Sequence, residues 1–126
     1  MAIEVPVGPF SLKAGVTLTA KQYCFAKLTA DLTAGVCTSS LDAPLGIIQN
    51  APVTSDAVNI MGYGISKVLT GAAVTVGNWL SPDANGAAVP ITFSDTTKFI
   101  GAVALETAGS GAYVSALLPG IPTRAN

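Results

Sequence analysis

Few side chains in this sequence have the chemistry of a reactive site. Histidine is absent, so neither a Ser-His-Asp nor a Cys-His arrangement can form, and a His-based metal site is ruled out as well. Ser66 beside Lys67 has the makings of a hydroxyl nucleophile with an amine base, but adjacent strand residues point to opposite faces, which predicts a structural role. Asp83 and Asp95 could act as a carboxylate pair in acid-base work or hold calcium. Each sits among turn-forming residues, PDANG and SDTT, where a carboxylate is expected to accept hydrogen bonds from nearby amides instead. The phosphate-cradling pattern GxxxxGK[ST] is missing, and the glycines are scattered at turns. No catalytic residue, cofactor or metal is expected.

Cys24 and Cys37 lie too far apart for the close pairs of a zinc site and are too few for a disulfide-stapled scaffold. Two buried small hydrophobes are expected; the alternative is a disulfide across neighbouring strands, which needs Cα atoms within roughly 7 Å. Trp79, the only tryptophan, could stack on a sugar. Its place after VTVGN, in mid-strand, makes a core or interface anchor the expectation, and Tyr23, Tyr63 and Tyr113 read the same way.

The elements that carry these residues read as strands throughout. Val16–Thr19, Gln22–Thr29, Gly35–Thr38, Pro44–Gln49, Val58–Met61, Ile65–Leu69, Ala88–Phe93, Phe99–Leu105 and Ala112–Leu118 are short, rich in β-branched or apolar residues and separated by turn formers. Gly62-Tyr63-Gly64 predicts a bulge or tight bend. Asn85-Gly86, after Ser81-Pro82-Asp83, predicts a hairpin, because both residues accept a positive φ. No segment has a helical stripe with caps. The fold class is therefore all-β, a compact sandwich or barrel of about eight to ten short strands. Val16-Thr17-Leu18 matches Val74-Thr75-Val76 in type, and Leu45-Gly46-Ile47-Ile48 matches Ile100-Gly101-Ala102-Val103, with Ser55 against Ser110 and Ala57 against Ala112. The shared pattern suggests that each half builds a similar β-unit. Residues 1–13, with Pro6 and Pro9 and alternating Ile3, Val5 and Val7 before Phe10 and Leu12, read as an extended N-terminal arm. Residues 14–118 form a single β-rich domain, and residues 119–126 a short tail.

Composition narrows the partners. At 126 residues the chain suits one domain; half of it is hydrophobic and only 10% is charged, with a net charge of −1, against roughly 25% charged in ordinary soluble domains. A surface this neutral is expected to be covered by another chain, since interface cores are depleted in charge. Six Lys and Arg spread along the chain make no patch for phosphates, so nucleic acid is not an expected partner. Mean hydropathy is +0.57, yet the longest uncharged run, Thr107 to Thr123, is broken by Gly109, Gly111, Pro119, Gly120 and Pro122, and no membrane span is expected. Glu4, Pro6 and Pro9 stand where a signal peptide needs a basic start and an apolar helix, so secretion by that route is not expected either.

VTVGNWLSPDANGAAV followed by FIGAVALETAGSGAYVSALL resembles the C-terminal half of the small head-decoration, or capsid cement, proteins of tailed bacteriophages. Val76, Gly77, Leu80, Asp83, Gly86, Ile100, Gly101, Ala104, Leu105 and Glu106 fill the places of that family's pattern. YCFAKL, PLGIIQNAP and AVNIMGYGISKV are similar to its first half, so the resemblance runs over roughly residues 15 to 118. Ala112, after Gly111, departs from it by replacing an acid the family often carries. The resemblance implies a β-rich structural subunit, made in the host cytoplasm, that binds the outer surface of a phage capsid, commonly as a homotrimer. It also implies the major capsid protein as partner and no catalytic residue. The arm suits a strand lent to a partner, and with the partner that the resemblance implies, Ile3, Val5, Val7, Phe10 and Leu12 are the expected capsid-contact residues; Trp79 and the tyrosines make a glycan- or surface-binding β-module the alternative function.

Overall fold

The computed structural model describes residues 9–92, 95 and 97–120, and the backbone of Thr123–Arg124. All regular structure among them is β: twelve strands, β1 (Phe10–Ala14), β2 (Phe25–Ala30), β3 (Thr33–Val36), β4 (Gly46–Ile48), β5 (Ala57–Met61), β6 (Tyr63–Leu69), β7 (Trp79–Pro82), β8 (Ala88–Pro90), β9 (Phe99–Ile100), β10 (Ala102–Ala104), β11 (Tyr113–Pro119) and β12 (Thr123–Arg124). The first five close into a barrel in the order β1-β3-β2-β4-β5. Five later strands form a sheet in the order β6-β11-β10-β7-β8, with β9 and β12 paired beside it. Gly62 is the hinge between the two units. It separates β5 from β6, and a Cβ there would meet the Phe10 ring at 3.3 Å and the Leu45 carbonyl at 3.4 Å.

The two units are copies of one plan. Matching β1, β5, β4, β2 and β3 to β6, β11, β10, β7 and β8 reproduces every strand neighbour, including the parallel closure, which is β1 against β3 in the first unit and a single bridge, Thr70 to Ala88, in the second. Backbone hydrogen bonds repeat in the same places. Leu18 N–H donates to Pro52 O at 2.8 Å as Val74 N–H does to Ala108 O at 2.9 Å; Leu45 N–H donates to Ala26 O at 2.7 Å as Gly101 N–H does to Leu80 O at 2.8 Å. Positive φ also recurs at paired positions: Tyr23 (69°) with Gly77 (88°), Leu32 (49°) with Gly86 (82°), and Ser55 (73°) with Gly111 (75°).

This register corrects the one suggested by residue types. Leu45 matches Gly101 rather than Ile100, and Leu18 matches Val74 rather than Val76. The first unit spends more residues between Leu18 and Tyr23 than the second does between Val74 and Gly77, and an alignment by residue type slips over the difference.

Each interior is lined by equivalent residues. Ala14, Leu18, Ala26, Ala34, Ile48, Val58 and Ile60 fill the first barrel, and Val74, Leu80, Ala88, Ala104, Val114 and Ala116 stand at matching places in the second. Leu18 is fully buried but belongs to no strand, so the strand expected at Val16–Thr19 is instead a loop pinned by one apolar side chain and one backbone bond.

Where the units differ is at the seam between the first and third strands. In the first barrel Lys13 N–H donates directly to Leu32 O at 3.1 Å. In the second, the equivalent groups are Leu69 N–H and Gly86 O, and the Tyr23–Phe25 segment of the first barrel lies between them. Leu69 N–H donates to Tyr23 O at 2.9 Å, and Phe25 N–H donates to Gly86 O at 2.8 Å. Phe25, Cys37 and Ile47 therefore share a core cluster with the second unit's interior. Phe25 and Ala26 are both fully buried although they point to opposite faces, because one faces the neighbouring unit and the other its own barrel. Room for the Phe25 ring comes from Gly101, where a Cβ would lie 2.5 Å from Phe25 Cε1.

Two chain boundaries move. Phe10, Ser11, Leu12 and Lys13 pair with Ile60, Asn59, Val58 and Ala57 of β5, and Phe10 and Leu12 pack on the first barrel's core. They belong to the barrel, not to an arm: the nearby prolines suggested a loose segment, but from Phe10 onward the apolar alternation places one face on the core. Ile3, Val5 and Val7 lie outside the described residues. At the other end Pro119 closes β11, and Thr123–Arg124 pairs with β9, so the expected tail includes paired backbone.

Phe25→Ala removes a ring buried between the two units and is expected to cost about 3–5 kcal/mol. Trp79→Ala, the same change at the equivalent but exposed position, should cost less than about 1 kcal/mol. Urea unfolding of both variants checks the contrast, and equal losses would contradict the seam as described.

Candidate functional site

The residues singled out for possible chemistry are held in structural roles. Ser66 is buried, accepts a hydrogen bond from Gln49 Nε2 at 2.9 Å and donates to Lys67 O at 3.0 Å. Lys67 points the other way and places its ammonium 5.8 Å from the centre of the Tyr23 ring. Asp83 Oδ1 accepts from the amides of Asn85 at 2.7 Å and Ala87 at 3.0 Å, which shapes the β7–β8 hairpin around Gly86. Asp95 accepts from Thr92 N–H at 3.0 Å and from Lys98 Nζ at 3.2 Å, and those bonds, the amide's first, hold its carboxyl below the usual range. Turn chemistry is the role of both aspartates. Among the described residues no cluster of three metal-ligating side chains occurs.

Cys24 and Cys37 are free and buried. Burial raises both thiols, Cys37 to about 12. Phe25 lies opposite Cys37, since Cys37 N–H donates to Phe25 O at 2.9 Å, and Cys24 sits just before β2. The disulfide alternative is set aside, and the small-hydrophobe reading describes both residues.

Tyr23 is the aromatic whose position is most constrained. Its left-handed backbone is uncommon for a bulky residue and is held from three sides. The carbonyl takes the Leu69 amide, the ring meets Tyr113 edge-on with centroids 5.5 Å apart, and Lys67 lies over its face. A charged group near an aromatic face and a T-shaped pair each contribute roughly 0.5–1.5 kcal/mol, which offsets the backbone strain and ties the first unit to the second.

The surface feature left over is apolar. On the outer face of the second sheet, the strand register places Ile65, Leu117, Val103 and Trp79 directly opposite one another across β6, β11, β10 and β7. Ile65 is 61% exposed, Leu117 44% and Trp79 50%. Ile91 lies beside the row, its amide donating to Trp79 O at 2.8 Å. Trp79 is thus an exposed member of an apolar row and not a core residue. The sequence pattern identified it as an anchor but missed Ile65, Leu117 and Val103. Their alternation along β6, β10 and β11 was visible, but the strand order that aligns them was not.

Charge is sparse around the fold, and its best-defined pair is remote from this row in sequence. Lys27 Nζ and Asp42 Oδ2 meet at 2.9 Å, and Asp42 also accepts from Thr38 N–H at 2.9 Å. The Lys27 bond and then the Thr38 amide hold the Asp42 carboxyl below its ordinary value of 3.8. A carboxyl lowered by folding contributes stability that is fully present above its unfolded pKa and is lost as pH falls through the folded one. Asp42→Asn is therefore expected to lose less stability than the wild type between about pH 5 and pH 2. Urea midpoints measured across that range test this, and parallel curves would contradict it.

A closed β-barrel and a five-stranded sheet of the same strand plan, joined through a seam, define a duplicated all-β fold. No protein-family model matches the chain, and no curated protein sequence matches it. Among solved structures it is similar to the N base of the head fiber gp8.5 of bacteriophage phi29. The TM-score is 0.70 at 19% sequence identity, with 92% of this chain and 97% of that one covered.

Proposed function

We propose that this chain is a structural virion protein of a tailed bacteriophage: a homotrimer that binds the outer surface of the head and cements neighbouring major-capsid subunits, without catalysis. The observation that carries this reading is the fold likeness to a phage head-fiber base over almost the whole of both chains. The sequence resemblance to head-decoration proteins supports it independently, since it rests on residue order rather than on shape. A charge-poor composition and an exposed apolar row suit a protein that works by covering surfaces. Cementing follows from valence: a standard interface buries about 800 Å² per partner, and three such attachments in one rigid unit hold by effective concentration.

The test is to mix the purified protein with expanded heads that lack it, image them by electron microscopy, and measure the heads' melting. Ordered extra density and a raised melting temperature are expected. Removing residues 2–8, which leaves β1 intact, is expected to lower occupancy. Heads that stay bare at saturating protein would overturn the proposal.

One observation favours a second reading, a glycan- or surface-binding module: Trp79 is half exposed on a sheet face, as a sugar-stacking platform must be. Under that reading a glycan array shows binding that Trp79→Ala reduces at least tenfold. An array with no signal above background disposes of it.

A further inference from the structure

We propose that the row Trp79, Ile91, Val103 and Leu117 is a self-association face, and that it packs head-to-tail on the first barrel of a second copy of this chain. The proposal deepens the function given above by naming the surface through which subunits meet. Its basis is the internal duplication. Superposing the strand plans places Phe25, Cys37, Ile47 and Met61 of the first unit where Trp79, Ile91, Val103 and Leu117 stand in the second. The hydrogen bonds and register fix these pairs: Cys37 N–H to Phe25 O matches Ile91 N–H to Trp79 O, and Phe25 opposite Ile47 opposite Met61 matches Trp79 opposite Val103 opposite Leu117. In the first unit this face is covered, because the second unit lies on it: Phe25, Cys37 and Ile47 are fully buried and Met61 packs against them. The matching face of the second unit is equally apolar, with Trp79 and Leu117 exposed and Ile91 and Val103 half-buried. One interface of the molecule thus shows what this face binds: the side of another unit of the same plan.

That side is available only on the first barrel. The second unit receives Tyr23 against Lys67, Leu69 and Tyr113. By the same correspondence those residues are Ser11, Lys13 and Ala57 in the first unit, and there they line an open groove of about 400 Å³ together with Leu12, Leu32 and Ser55. The molecule therefore carries an uncovered donor face at one end and an unfilled receiving groove at the other. Contacts of this kind are heterologous, and they close into a ring when the rotation between copies allows.

The second interface cannot be a replica of the first. Lys13 N–H already closes the seam onto Leu32 O, so no strand segment inserts. Leu45 stands where Gly101 admits the Phe25 ring, and Leu32 where Gly86 takes the Phe25 amide on its carbonyl, which gives Trp79 two leucines to rest on in place of a slot. Side-chain packing without backbone pairing is the expected mode.

Sedimentation of the full chain and two engineered cysteines test this. The wild type should sediment as an oligomer, and Trp79→Ser and Leu117→Ser should each raise the dissociation concentration at least tenfold. Leu41→Ser, at a still more exposed leucine of the first unit, should leave it unchanged; circular dichroism and urea midpoints certify that the variants are folded. Under mild oxidation Trp79→Cys mixed with Leu32→Cys should give a mixed disulfide dimer, while neither variant alone crosslinks. Crosslinking of Trp79→Cys with itself would overturn the head-to-tail geometry. A wild type that stays monomeric at high micromolar concentration would overturn self-association. Head binding by such a monomer, lost on Trp79→Ser, would leave the capsid role standing and assign the face to the capsid. Bare heads with an intact oligomer would instead overturn the capsid role and leave self-association standing.

Discussion

The arrangement depends on one insertion. The Tyr23–Phe25 segment enters a seam that the second unit leaves open, donating one backbone hydrogen bond and accepting another, while the Phe25 ring joins the second unit's core. A ring of that size, fully buried, contributes roughly 2–3 kcal/mol through the hydrophobic effect. Unpaired edges would otherwise cost more, since buried backbone groups must find partners. Neither unit is complete alone. The first has an apolar outer face and the second a gap, and each is remedied by the other. Gly101 and Gly86 keep the slot clear, and Gly62 lets the chain pass from one unit to the other between Phe10 and Leu45.

Much of the local structure was legible in the residues. Asn85-Gly86 forms a hairpin because Gly86 takes a positive φ and Asp83 caps the turn; the sequence contains both causes. Gly62-Tyr63-Gly64 marks a real junction, with Gly64 also at positive φ. The burial of Cys24 and Cys37 followed from their spacing and the absence of other ligands. These features are local, and their determinants lie within a few residues of one another.

What the residues hid were relations between distant strands. Duplication was visible only as a faint echo, because interior positions in both halves are held by interchangeable small apolar residues: Ala26 answers Leu80, and Ile60 answers Ala116. Such swaps preserve the fold while erasing identity. Positive φ proved the more durable trace, since backbone shape at three paired positions persisted though only one member of each pair is glycine. For Trp79 the residues left core and interface open for a related reason. A place in a strand says that a side chain faces in or out, but not whether the outward side is covered. The answer for Phe25 is that it is; for Trp79 it is not.

The two thiols have a consequence for the conditions the fold tolerates. With Cys37 raised to about 12 and Cys24 raised as well, almost no thiolate exists near neutral pH, and thiolate is the species that oxidises or exchanges. The two side chains share no covalent bond. Nothing in this core is gained by oxidation or lost by reduction. A chain built this way can fold in a reducing compartment and then persist in an oxidising one without any maturation step.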